Sequence, residues 1–76
     1  MDKLGKVKLR RMLSEELGVP LRDVIDYGRY EYFGNKERIE LGAHTIVALN
    51  GQVKIIEPDY TGEKISYRTR IIKEVG

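Results

Sequence analysis

The stretch that most constrains the fold is a predicted β-hairpin over residues 43–57, AHTIVALNGQVKIIE. Asn50 and Gly51 separate two apolar, β-branched runs, and this dipeptide is typical of a two-residue turn because both residues adopt positive φ at low cost. The register that such a turn predicts pairs Leu49 with Gln52, Ala48 with Val53, Val47 with Lys54, Ile46 with Ile55 and His44 with Glu57. Because side chains alternate across a sheet, we expect one face of the hairpin to lie in the core. That face carries Ile46, Ala48, Val53 and Ile55.

The length and composition of the chain limit what it can be. With 76 residues we expect one domain, in which residues 1–18 form a basic N-terminal segment and helix and residues 24–76 form an antiparallel sheet. The absence of cysteine excludes disulfides and thiolate metal sites, so the fold depends on apolar burial. No stretch is as long as a membrane span, and the N-terminus lacks the apolar core of a signal peptide. We therefore predict a cytoplasmic protein without membrane contact.

The N-terminal part predicts one helix and leaves a second open. From about Lys6 to Leu17 the apolar residues recur at three- and four-residue spacing, which is typical of an amphipathic helix, and Gly18 would end it. Residues 20–27 fit either a short second helix that begins at Pro20 or an extended segment that leads into the next strand.

The two N-terminal segments together resemble a helix-turn-helix. The resemblance covers about fourteen residues, SEELGVPLRDVIDY, and rests on small Ser14, Gly18 in the turn, Val19 after it, and Val24 and Tyr27 at inward positions. It implies that the second helix would read DNA.

Further strands are predicted on both sides of the central hairpin. Residues 29–33, RYEYF, are prone to form a strand, and residues 34–37 supply a turn into a strand over 38–41. Gly42 interrupts what would otherwise be one long strand, and a glycine there lets a small sheet curl towards a barrel. Residues 58–62 predict another turn. In the last strand, Lys64 to Val75, we expect Ile65, Tyr67, Thr69 and Ile71 to face the core.

The predicted fold class is therefore α+β. One or two N-terminal helices pack on a four- to five-stranded antiparallel β-meander, which Gly42 could curl into a small half-barrel.

The charged and aromatic residues suggest binding. The net charge is only +2, so position has to carry the argument, and residues 1–11 contain Lys3 and four further cations against Asp2 alone. Tyrosines on a strand can stack on bases and guanidinium groups can hold phosphates. We predict a small basic regulatory module that binds nucleic acid. Its predicted contact residues are Lys6, Lys8, Arg10, Arg11, Arg22, Arg29, Tyr30, Tyr32, Arg68 and Arg70.

Two alternatives remain open. The same arginines suit an ordinary solvated face on which they pair with Glu31, Glu40 or Glu57 across strands. The chain could instead be an oligomerising or inhibitory protein-binding module, such as an accessory protein of a mobile element. That alternative rests on the face of the hairpin opposite the core, which needs cover from a second copy or a protein partner. Its apolar residues are Val47, Leu49 and Ile56.

The sequence offers little material for catalysis. His44 is the single histidine, and we assign it to a sheet edge where it faces Glu57. Asp23 and Asp26 could share a helical face, but aspartate in an early turn more simply favours the helix dipole. We predict no enzyme activity, no cofactor and no metal.

Overall fold

The computed structural model describes residues 4–74, in which two helices precede five strands. Helix α1 spans Lys6–Leu17 and helix α2 spans Leu21–Tyr27. The strands are β1 (Arg29–Phe33), β2 (Lys36–Leu41), β3 (His44–Leu49), β4 (Gln52–Asp59) and β5 (Ser66–Glu74). They pair antiparallel in the order β1-β2-β3-β4-β5, which confirms the predicted α+β meander. The sheet does not close into a barrel, so β1 and β5 are its two edges.

The hydrophobic core lies between the helices and one face of the sheet, which we call the inner face. The strands contribute Ile39, Ile46, Ala48, Val53 and Ile55, and the helices contribute Leu9, Leu13 and Val24. Each of the leucine, isoleucine and valine side chains stabilises the fold by about 1.5–3 kcal/mol when fully buried. The predicted core residues of the central hairpin are confirmed. The opposite side of the sheet, which neither helix covers, is called the outer face.

The turn between the helices is fixed by Ser14 and Gly18. Gly18 adopts φ 66°, which favours glycine, and its N–H donates to the Ser14 carbonyl. The Ser14 Oγ donates to the Val19 carbonyl at 2.6 Å. Because α2 spans Leu21–Tyr27, the helical alternative for residues 20–27 is confirmed. Tyr27, which we expected to pack inward, is 76 % exposed because α2 ends there after seven residues and Gly28 leads directly into β1.

The hairpin turns follow the sequence with two differences. Asn50 and Gly51 have φ 53° and 77°, and the predicted register around them is confirmed from Leu49↔Gln52 to Ile46↔Ile55. The turn after β1 is shorter than predicted, since β2 begins at Lys36. Gly42 does not bend a continuous strand. With φ 60° it forms the reversal between β2 and β3, and Leu41 pairs with His44.

The face of strand β5 that lies towards the core is the opposite of the one we predicted. A register shift between Val53 and Lys54 pairs Ile55 with Arg70 and Lys54 with Ile71. Because Ile55 is buried in the core, its neighbour Arg70 emerges on the inner face, together with Arg68. The side chains expected inside are therefore outside, and Ile72 is the β5 residue that packs against the core. The exposed fractions are 71 % for Ile65, 61 % for Tyr67 and 54 % for Ile71. Val75 lies outside the described residues.

Candidate functional site

The structure places the predicted contact residues on one side of the molecule, with one exception. Tyr30 and Tyr32 pair with Ile39 and Glu37, which are buried beneath the helices, so both tyrosines emerge on the inner face. The inner face also carries Arg68 and Arg70, and the helices carry Lys6, Lys8, Arg10, Arg11 and Arg22. Arg29 is the exception, because it pairs with Glu40 on the outer face.

Four cationic residues lie in the first two turns of α1, and we call this group the α1 cation cluster. It comprises Lys6, Lys8, Arg10 and Arg11, and no acidic residue lies in the first turn. Lys8 and Arg11 are exposed, and no ion pair to either is found within residues 4–74. Cations near a helix N-terminus oppose the helix dipole, so burial of Leu9 and Leu13 must hold this segment in place. Lys3 and Asp2 lie outside the described residues.

Arg10 differs from the other members of the α1 cation cluster because it is half-buried. Its Nε atom is buried and has no hydrogen-bond partner in the described part of the chain. Arg10 is therefore less accessible to a ligand than Lys8 and Arg11.

A buried carboxylate from β2 anchors the start of α1. Glu37 is 2 % exposed, and its Oε2 accepts the Leu4 N–H at 2.6 Å while its Oε1 accepts the Gly5 N–H at 2.8 Å. No side chain within α1 caps this end. Glu37 therefore fixes the two residues that lead into the helix and places a negative charge at the positive end of the helix dipole.

The sequence interpretation missed Glu37 because it assigned this residue to a turn. Strand parity was the available signal, since Glu37 and Ile39 are two residues apart and share the inner face.

Tyr30 connects this anchor to the α1 cation cluster. Its hydroxyl donates to the Glu37 Oε1 at 2.9 Å, and the Lys6 Nζ lies 5.3 Å from the centre of its ring. Burial of the hydroxyl, together with the hydrogen bond to Glu37 and its negative charge, raises the pKa of Tyr30 to about 12. The ring of Tyr30 is thus engaged within the fold. Tyr32 is 48 % exposed at the edge of the sheet.

We expect this tyrosine to make the protein sensitive to alkaline pH. The folded state raises the pKa of Tyr30 from 10.0 to about 12, so its contribution to stability is present below pH 10.0 and is lost as the pH rises towards 12. A Tyr30→Phe variant should lose less stability over this interval than the wild type, measured by urea unfolding at successive pH values. The control is Tyr27→Phe at an exposed position, which should behave as the wild type does. Equal alkaline loss in both variants would contradict the assignment.

The β5 arginines are held by carboxylates on the inner face. The Arg70 Nε donates to Glu57 at 2.9 Å and its Nη1 donates to Glu16 of α1 at 2.8 Å. The hydrogen bond from Arg70 is the main cause that lowers the pKa of Glu57, and the hydrogen bond to Glu57 is the main cause that raises the pKa of Arg70. Arg68 lies 3.6 Å from Glu57 with a side chain that is 62 % exposed. Arg68 is the more exposed of the two, since the Arg70 side chain is 44 % exposed.

The outer face begins with an ion-pair network on β1 and β2. Arg38 contacts both Glu31 and Glu40, the latter at 2.7 Å, and Arg29 lies 3.9 Å from Glu31. The hydrogen bond from Arg38 is the main cause that lowers the pKa of Glu31. This half of the outer face matches the solvated-face alternative, and the network borders a depression of about 250 Å³. The residues that line the depression are Glu31, Phe33, Lys36 and Arg38.

Other kinds of site find little support in the described chain. Within residues 4–74 no group of three or more His, Cys, Asp or Glu side chains is placed to hold a metal ion. No helix in this part of the chain has the length and apolar character needed to cross a membrane. His44 is the smallest of the causes that lower the pKa of Glu57.

Comparison of the chain with protein-family models, with curated protein sequences and with solved structures gives no significant match.

Proposed function

We propose that this chain is a small nucleic-acid-binding module whose contact surface is centred on the α1 cation cluster. The observation that carries the proposal is that Lys8 and Arg11 are exposed without an ion-pair partner in the described chain, whereas Arg38 and Arg70 are paired with carboxylates. Unpaired cations beside one another are what a phosphate backbone requires.

Further exposed cations lie on other elements on the same side of the sheet. Arg22 is exposed on α2. Lys73 of β5 pairs with buried Val53, so it emerges on the inner face, and it was not among the predicted contact residues. Arg68 adds a third accessible cation on this side. Such a surface would track a backbone of phosphates, and α2 is too short to serve as a long reading helix.

The modest net charge of the chain sets the expected affinity. With a net charge of +2, we expect binding in the range of ~10⁻⁴–10⁻⁶ M that is typical of sequence-independent contacts at physiological salt. Phosphate contacts release counterions, so the logarithm of the affinity should fall linearly with the logarithm of salt concentration.

The test is a fluorescence-anisotropy titration with labelled single-stranded DNA, double-stranded DNA and single-stranded RNA at several salt concentrations. A Lys8→Glu/Arg11→Glu variant should bind about 30-fold more weakly at low salt, and its salt slope should fall by roughly 2 because two phosphate contacts are lost.

The matched control is Arg29→Glu/Lys36→Glu, which changes the net charge equally on the opposite face of the sheet. We expect the affinity of this control for the probes to fall by less than about threefold, since long-range charge effects are screened at moderate salt. Equal losses in the two variants would assign binding to net charge alone. A wild type that binds none of the three probes at low salt would end the proposal.

A further inference from the structure

Half of the outer face is apolar and uncovered. This outer apolar patch lies on β3, β4 and β5 and consists of Val47, Leu49, Ile56, Tyr67 and Ile71. An antiparallel sheet with one solvated face normally carries polar residues there, whereas apolar residues on both faces are typical of a sheet covered on both sides. In this molecule the helices cover only the inner face. The smallest dimension of the molecule is 20 Å, which is the thickness of one helix layer on one sheet.

We infer that the outer apolar patch is the interface of a two-fold symmetric homodimer, in which the outer faces of two sheets pack against each other. Two such faces pack about 10 Å apart with interdigitating side chains. One association step would remove the patches of both copies from water, because a two-fold axis brings the same surface together from both sides.

The exposed apolar area is of the size that a dimer needs. Tyr67 and Ile71 are 61 % and 54 % exposed, and Phe33, which pairs with Lys36 on the same face, is 84 % exposed. Together these three side chains expose on the order of 400 Å² of apolar surface. A stable interface buries about 800 Å² on each partner. The half-buried Val47, Leu49 and Ile56 supply part of the remainder.

The charges on the outer face suit a second copy of the chain. Arg29, Glu31, Arg38 and Glu40 balance one another within each chain, so this network brings no net charge to the interface, while Lys36 and Lys54 add cations that are not part of it. This network lies beside the outer apolar patch and would form a hydrated rim around an apolar centre. Lys54 is the one charged residue between the apolar side chains, and its stem can lie along them while the ammonium reaches water.

The free edge of β5 is a poorer place for two copies to join. Edge-to-edge pairing about a two-fold axis would bring the inner-face cations Arg68, Arg70 and Lys73 of both copies close together. Like charges and irregular register are features that protect sheet edges from such pairing. The outer face, by contrast, presents no row of like charges across β3 to β5.

Sedimentation equilibrium over micromolar to millimolar concentrations tests the inference. The wild type should approach twice the chain mass of 8.8 kDa and dissociate on dilution. An Ile71→Lys variant places a charge in the patch and should raise the dimer dissociation constant at least about 30-fold. The matched control is Ile25→Lys, since Ile25 is similarly exposed, at 48 %, but lies on α2 on the other side of the molecule. It should change the constant less than about threefold.

A second variant, Tyr67→Lys, keeps the test decisive if the circular dichroism spectrum of Ile71→Lys shows that this variant is unfolded. The inference is overturned if the wild type remains at the mass of one chain at the highest concentration. It is overturned in the same way if that monomer binds a different protein through the outer apolar patch. It is equally overturned if the patch variants stay dimeric or if Ile25→Lys dissociates the dimer as strongly.

Discussion

Replacing Glu37 with alanine should lower the free energy of unfolding by about 3–5 kcal/mol. The variant leaves the N–H groups of Leu4 and Gly5 and the hydroxyl of Tyr30 without their acceptor. A fully buried donor costs roughly 1–3 kcal/mol when it is left unpaired, and these three donors are partly buried. A negative charge that favours the start of α1 is also removed. This single side chain holds three donors, so few positions should be as sensitive.

The matched control is Glu40→Ala, three residues along the same strand. Glu40 pairs with Arg38 on the outer face and its side chain is 42 % exposed, so we expect a loss of no more than about 1 kcal/mol. Thermal unfolding should show a drop in Tm of roughly 12 °C or more for Glu37→Ala, at about 4–8 °C per kcal/mol for a chain of this size. Similar Tm values for the two variants would contradict the anchoring role of Glu37.

The parts of the fold that the sequence predicts are those with short-range causes. Asn50 and Gly51 determine a tight turn by their tolerance of positive φ, and the turn determines the register of β3 and β4. The spacing of Leu9 and Leu13 likewise predicts the buried stripe of α1. The α1 cation cluster follows from the same helix, so the exposure of Lys8 and Arg11, which lie away from the buried stripe, is also predictable.

The orientation of β5 could not be predicted because both of its faces carry plausible core residues. One parity has Tyr67 and Ile71 and the other has Ile72, so alternation alone favours the wrong side. The register shift next to Lys54 decides the matter, and it depends on tertiary pairing rather than on local pattern. The exposed apolar surface behind the proposed dimer is thus a consequence of the structure that the sequence pattern conceals.

Contacts between distant segments account for the rest of what was missed at the candidate site. The carboxylate of Glu37 meets Gly5 across 32 residues, and Arg70 meets Glu16 across 54. No periodicity encodes such pairs. They explain why Tyr30 and Arg70, which suit nucleic-acid contact by residue type, already have partners within the chain.

Substituting Gly28 with alanine should lower the free energy of unfolding by about 2–3 kcal/mol. The cause is a lack of space for the methyl group, not a backbone conformation that only glycine adopts. Its φ of −78° and ψ of 134° are open to any residue, so strain in the backbone is not the cause. A Cβ at this position would lie 2.4 Å from the Val24 carbonyl oxygen and 3.1 Å from the Ile39 Cγ2. The same carbonyl accepts the Gly28 N–H at 2.9 Å, which closes α2 against β1. Relief of the clash must therefore break this bond or shift buried Val24 from the core.

Gly62→Ala provides the matched control, because a Cβ there meets only the Lys64 carbonyl oxygen at an ordinary 3.8 Å. We expect this control to change stability by less than about 0.5 kcal/mol, measured by urea unfolding of both variants. Hydrogen exchange should also quicken in α2 of the Gly28→Ala protein, since opening of the junction frees that helix from the sheet. If the junction tolerates the methyl group, both variants will unfold at the same urea concentration, and the close approach of α2 to β1 will not be a determinant of stability.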